Sequence, residues 1–185
     1  ETVRDIIPPE IACIYIRQPE ARGLGHAVLC AEPVVGNEPF AIILADDLID
    51  DGDNGGCIAQ MVAQYADYEA SIIGVQRVPA EHTDRYGVVD AEPVAQRMNR
   101  VRGIVEKPAP DQAPSDLGVV GRYILSGRIF EKLRETQPGA GGEVQLTDAI
   151  AALLADEAVF AYEFAGTRYD CGDKLVYLQA TVEYG

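Results

Sequence analysis

Phe40-Ala41-Ile42-Ile43-Leu44-Ala45-Asp46-Asp47 is an unbroken apolar run closed by two acids. It has strand length and no polar alternation, which is the pattern of a strand buried on both faces. Such strands occur where helices cover both sides of a sheet, and ligands there gather at the carboxyl ends of the strands. Downstream, Ile58, Met61, Val62 and Tyr65 recur at helical spacing, which predicts a helix over residues 58–68. Residues 71–78 then read as another strand. Upstream, residues 11–17 read as a strand and residues 24–31 as a short helix.

The rest of the chain extends the alternation. Short β pieces at residues 86–89 and 102–106 flank a polar segment that resembles a hairpin or an insertion. A strand is predicted over residues 117–125, with Ser126 capping a helix that runs to about residue 136. Pro138-Gly139-Ala140-Gly141-Gly142 is a loop. A helix over 143–156, a strand over 159–164 and a helix over 174–183 follow. The expected fold is α/β, with a mostly parallel mixed sheet covered by helices on both faces. Glu1-Thr2-Val3-Arg4-Asp5 reads as the tail of a helix. The first predicted strand leads into Gln18-Pro19-Glu20-Ala21-Arg22-Gly23-Leu24-Gly25, which is not a standard phosphate-gripping fingerprint.

Length and charge narrow the partners. A chain of 185 residues suits one domain, residues 1–185. The formal net charge of −15 repels phosphate backbones, so nucleic acid is not an expected partner. No apolar run is long enough to suggest a membrane helix. Cys13, Cys30, Cys57 and Cys171 are scattered without a C-x-x-C pair, which fits a reducing, cytoplasmic location. His26 and His82 have no partner at zinc-ligand spacing.

Several groups offer chemistry. Asp46 and Asp47 end one predicted strand, and Asp170 ends the stretch that begins at Val159. Two carboxylates converging from different strands suit Mg²⁺ against a polyphosphate, although each acid taken singly reads more readily as a turn or cap residue. Glu106-Lys107-Pro108 could accept sugar hydroxyls and hold a phosphate, or could be an exposed ion pair before a turn. Tyr86-Gly87-Val88-Val89 places a glycine where a ligand approaches the backbone, or where a strand simply begins. Gly23-Leu24-Gly25-His26-Ala27 is either a backbone N–H site at a helix start or a tight strand-to-helix turn.

Taken in order, seven blocks carry a resemblance. They are Gly23-Leu24-Gly25-His26-Ala27-Val28-Leu29-Cys30-Ala31, Leu44-Ala45-Asp46-Asp47, Tyr86-Gly87-Val88-Val89-Asp90, Gly103-Ile104-Val105-Glu106-Lys107-Pro108, Val120-Gly121-Arg122-Tyr123-Ile124-Leu125, Gly142-Glu143-Val144-Gln145-Leu146-Thr147-Asp148-Ala149-Ile150 and Tyr169-Asp170-Cys171-Gly172-Asp173-Lys174. The sequence resembles the bacterial UTP–glucose-1-phosphate uridylyltransferases along nearly its whole length. That resemblance implies a Rossmann-like nucleotidyltransferase fold and the reaction of UTP with glucose 1-phosphate to give UDP-glucose and pyrophosphate.

The resemblance also implies roles. Gln18 and Gly23 would meet the uracil ring. Asp46 and Asp170 would bind Mg²⁺. Gly87 and Glu106 would contact glucose hydroxyls, Lys107 would hold the sugar phosphate, and Val120 and Gly121 would line the sugar side. Asp46, Asp170 and Lys107 would be the catalytic set, in a homo-oligomer when complete. The family's opening strand and Gly-x-Gly-Thr-Arg loop have no match here. The expectation is therefore a fragment lacking its first strands and phosphate loop, and inactive alone. A thymidylyltransferase of the same fold is the alternative, although the Gly142–Asp148 block and His26 lean toward the uridylyl branch. A reading of another class is a non-catalytic sugar-nucleotide-binding module.

Overall fold

A computed structural model of the protein describes residue 8, residues 10–52 and residues 55–185. The expected helix tail at residues 1–5 lies outside the described residues. Helix α1 (Leu24–Leu29) is followed by the single turn α2 (Glu32–Val35), strand β1 (Phe40–Ile43) and strand β2 (Asp47–Asp50). Helix α3 (Cys57–Tyr68) leads to β3 (Ser71–Arg77), and β4 (Gly87–Ala95) and β5 (Met98–Glu106) form a hairpin. Strand β6 (Leu117–Leu125), helix α4 (Ile129–Glu135) and helix α5 (Leu146–Leu153) come next. Strand β7 (Val159–Glu163), strand β8 (Thr167–Asp170) and helix α6 (Lys174–Tyr184) complete the order.

The main sheet has the order β1-β6-β3-β7-β5-β4, with a further pairing of β4 to β6. The mixed α/β architecture with helices on both faces is as expected, but the balance of strand directions is not. Only β3 and β7 pair in parallel; the other pairings of this sheet are antiparallel. The cause is β6. Strands β1 and β3 run in the same direction, as a crossover through α3 requires. However, β6 runs oppositely between them and pairs with both. The rule that alternating strands and helices give parallel neighbours does not foresee an inserted strand.

Every residue of β6 is buried, and its side chains divide by parity. Leu117, Val119, Tyr123 and Leu125 join a core with α1, α4 and α5, whereas Val120 and Ile124 join a second core with Met61 of α3. Successive strand residues point to opposite faces, so one strand serves two cores. Strand β3 spans one side of β6. The other side is shared, because β4 meets β6 at Gly118 while β1 occupies Arg122 to Leu125. Between them, at residues 119–121, lies a fork where the end of β1 faces the start of β4.

Four local expectations change. Strand β1, expected to be buried on both faces, pairs only with β6 among the described residues and alternates between half-buried and exposed positions, with Ile43 59% exposed, because it lies at the sheet edge. The predicted strand over residues 11–17 has no regular secondary structure and is exposed to residue 17. Its β-branched composition suits a strand, but no strand among the described residues pairs with it to satisfy its backbone groups. Ser126 does not cap α4; Arg128 occupies the N-cap position. The Ser126 hydroxyl donates instead to Glu157 at 2.9 Å, and its N–H donates to the Ser71 hydroxyl at 3.0 Å. Asp170 ends a separate strand, β8, which pairs antiparallel with β2. Gly166, at φ 130°, lies in the turn that separates β8 from β7.

Candidate functional site

The fork in β6 opens into a cavity of about 320 Å³. Its walls come from the segment after β1 (Leu44, Asp46, Asp47), the start of β4 (Tyr86, Gly87) and the end of β5 (Glu106, Lys107). Residues of β6, the start of α5 and the end of β8 complete it. Residues far apart in sequence, Asp46, Gly87, Glu106, Lys107, Gly121 and Asp170, thus share one pocket.

The acids are brought together by the β2–β8 ladder, in which Asp47 is the register partner of Asp170. The Cys171 N–H donates to the Asp46 carbonyl at 2.8 Å, which ties the neighbouring backbones together. Gly172 leaves the space between the two outer acids open. A Cβ placed there would lie 3.1 Å from Asp170 Oδ1 and 3.9 Å from Asp46 Oδ2. Among the described residues no cluster of three or more His, Cys, Asp or Glu is gathered for a metal.

Asp47 has a different role. It is buried, and its Oδ2 accepts the Gly121 N–H at 2.8 Å while its Oδ1 accepts Arg168 Nε at 2.5 Å. Arg168 also reaches Asp170 Oδ2 at 3.3 Å, donates to the Tyr86 hydroxyl at 3.3 Å and lies 5.3 Å from the Tyr86 ring centroid. Burial works against the Arg168 charge, but the hydrogen bond and charge of Asp47 overcome it and hold the guanidinium more firmly protonated than usual. Arg122 braces the same corner, donating to the backbone carbonyls of Leu44, Gly121 and Asp47.

On the opposite wall, the Glu106 carboxylate accepts the Thr147 hydroxyl at 2.8 Å and lies 3.6 Å from Lys107 Nζ. Consecutive strand residues would point to opposite faces, yet Glu106 and Lys107 both line the cavity. The left-handed backbone of Lys107, φ 46°, turns the chain at the end of β5, and its N–H donates to the Tyr86 carbonyl at 2.9 Å. A non-glycine residue in this region is strained and is held there by its surroundings. Tyr123 lines the floor. Burial first, then the charges of Glu106 and Asp47, push its phenol above the ordinary range, so it is protonated at neutral pH.

Three residues named from the sequence lie outside the lining. Val120 is on the α3 side of β6, and Val119, Gly121 and Tyr123 face the cavity instead. Gln18 and Gly23 are held to one another: the Gln18 amide donates to the Gly23 carbonyl at 3.1 Å and lies 2.9 Å from His26 Nδ1. Only their neighbour Leu24 reaches the cavity. Tyr123, Thr147 and Arg168 also line the cavity without a role assigned from the sequence, and so does Asp47, noted there only as a strand-end acid. The parity of β6 offered a signal for Tyr123, two residues from Gly121. Thr147 lies within one of the seven blocks of resemblance but carries no role there, and nothing local marks Arg168.

The family model described as Nucleotidyl transferase matches residues 2–185. The chain belongs to the nucleotidyl transferase family. It is similar to a "UTP--glucose-1-phosphate uridylyltransferase" of Pseudomonas aeruginosa, 45% identical over 172 residues that make up 93% of this chain and 62% of the relative. The chain thus spans under two thirds of that relative's length. A crystal structure of UDP-glucose pyrophosphorylase complexed with UDP-glucose superposes with a TM-score of 0.90 at 43% identity, covering 92% of this chain and 65% of that one. A putative glucose-1-phosphate thymidylyltransferase from Bacillus anthracis, in complex with a sucrose, gives 0.70 at 25% identity, covering 89% and 62%. Both neighbours share the nucleotidyl transferase fold, and the uridylyl one is the nearer match.

Proposed function

We propose that this chain forms the sugar-binding and metal-binding part of a UTP–glucose-1-phosphate uridylyltransferase. The observation that carries the reading is the single cavity in which Asp46 and Asp170 meet Gly87, Glu106 and Lys107. Glu106 is an acceptor for sugar hydroxyls beside a cation for the sugar phosphate, and the bare backbone at Gly87 admits the ring closely. The greater similarity to uridylyl than to thymidylyl relatives supports UTP over dTTP. Gln18 and Gly23, beside the Leu24 wall, are proposed to meet the base. Val120 is proposed to act through the backbone, since its side chain is buried on the other face.

The two outer acids fit Mg²⁺. Two carboxylates with an open space between them suit a hard cation that keeps its remaining positions for water and phosphate oxygens. When bound, the ion would neutralise charge on the transferring phosphate and its leaving group. The chain's own residues do the rest by positioning. Lys107 at the cavity mouth would draw the sugar phosphate in, and Glu106 would fix the ring so that a phosphate oxygen faces the α-phosphorus in line. No residue need form a covalent intermediate. The neutral Tyr123 phenol adds no further negative charge to an acidic floor.

The test is calorimetric titration of the chain with UDP-glucose, with and without Mg²⁺. Binding is expected, and Mg²⁺ should tighten it. Asp46→Asn and Asp170→Asn should each remove the Mg²⁺ effect while sparing metal-free binding. A chain that ignores UDP-glucose, or variants that respond to Mg²⁺ like the parent, would refute the reading.

A further inference from the structure

We propose that Thr147 is the positioning residue of the sugar subsite, holding the Glu106 carboxylate in the orientation that recognises the ring. This rests on the reading of Glu106 as a sugar contact. Thr147 is the second residue of α5, is 7% exposed and lines the cavity. Its hydroxyl donates to Glu106 Oε2 at 2.8 Å across 41 residues of sequence. Its methyl fills the space beside Gly87, since a Cβ on Gly87 would come within 2.7 Å of Thr147 Cγ2. One side chain therefore meets both residues assigned to the sugar hydroxyls.

The chemistry explains why threonine stands here. Inside a helix its hydroxyl commonly bonds back to its own preceding turn. At the second helical position no such carbonyl belongs to the helix, so the hydroxyl is free to reach sideways. A glutamate side chain has several torsions, and its carboxylate offers about four acceptor positions. Thr147 occupies one position and Lys107, 3.6 Å from Oε1, attracts the other oxygen. The remaining lone pairs are then aimed into the cavity. Serine would supply the donor without the methyl wall, and valine the wall without the donor.

That separation gives the experiment. UDP-glucose and UDP are titrated into the chain and into Thr147→Val, Thr147→Ser and Glu106→Gln, with thermal unfolding of each. Thr147→Val should weaken UDP-glucose by about tenfold, the loss expected for a hydrogen bond to a charged group, and leave UDP unchanged. Thr147→Ser should restore affinity to within about threefold of the parent, since it restores that bond. If Glu106→Gln weakens UDP-glucose but Thr147→Val does not, Thr147 has no positioning role. Equal losses for UDP and UDP-glucose in Thr147→Val would make its role merely structural and also overturn the proposal. If Glu106→Gln binds UDP-glucose normally, or the parent chain does not bind it, the sugar-subsite reading itself fails, and the proposal with it.

Discussion

Arg168 and Asp47 have side chains only 9% and 5% exposed, and each neutralises the other. Removing one member of such a pair leaves a buried charge without compensation, which commonly costs about 3–5 kcal/mol. Arg168→Ala should therefore lower the urea midpoint by a corresponding amount, with Arg168→Lys losing less because it retains the charge. Unchanged midpoints in both would mean that Asp47 is satisfied by the Gly121 N–H alone. Lys107 presents the opposite case, because its side chain is 57% exposed and pairs with its neighbour Glu106. Lys107→Ala should spare stability and weaken glucose 1-phosphate about ten- to a hundredfold, the range for losing a charged hydrogen bond. Titration with glucose 1-phosphate and with UTP checks this, and equal losses for both ligands would place Lys107 elsewhere.

At the scale of the element, β6 organises both the cores and the site. On the side of the fork its middle pairs with no strand among the described residues; Gly121 there accepts the Leu44 N–H at 2.9 Å and donates to Asp47 Oδ2. A Cβ on Gly121 would lie 2.4 Å from that oxygen and 2.6 Å from Leu44 Cβ. Neither contact is compatible with the present packing, so Gly121→Ala must push the post-β1 segment outward. Overpacking of this kind costs about 1–3 kcal/mol, and here it also displaces Asp46. Both a lower urea midpoint and weaker Mg²⁺-dependent UDP-glucose binding are expected. A variant with parental stability and metal response would show that the segment moves without cost. The short ladder of β2 and β8 is the second organising element, since its register sets Asp47 opposite Asp170.

For the whole molecule, the net charge of −15 and the site make opposite demands. The cavity gathers Arg85, Lys107 and Arg168 among its acids, so phosphate ligands meet a locally mixed field. Elsewhere the excess of acid repels itself. Added salt should screen that repulsion within a Debye length of about 10 Å at 0.1 M. The melting temperature should rise by about 2–4 °C between low salt and a few tenths molar, the shift that about 1 kcal/mol produces in a chain of this size. A melting temperature that falls with salt would mean that surface ion pairs such as Lys132 with Asp156 outweigh the net repulsion.

The α/β class and the positions of most elements were legible in the sequence because apolar period and turn residues are local properties. The stretch from Phe40 to Asp47 suffices to place a strand with acids at its end, but not its burial on both faces, since β1 lies at the sheet edge and alternates between half-buried and exposed residues. Glu106, Lys107, Gly87 and Asp170 were legible through ordered blocks of resemblance, and the structure gathers them in one cavity. Tertiary structure alone decided the direction of β6, because an antiparallel strand and a parallel one bury the same apolar run. It also decided that Val120 faces away while Val119 and Tyr123 face the cavity, a matter of parity that one residue of register reverses. The partnerships of Arg168 with Asp47 and of Thr147 with Glu106 span 121 and 41 residues. Pairing across such distances leaves no local periodic signal, so only the folded chain reveals it.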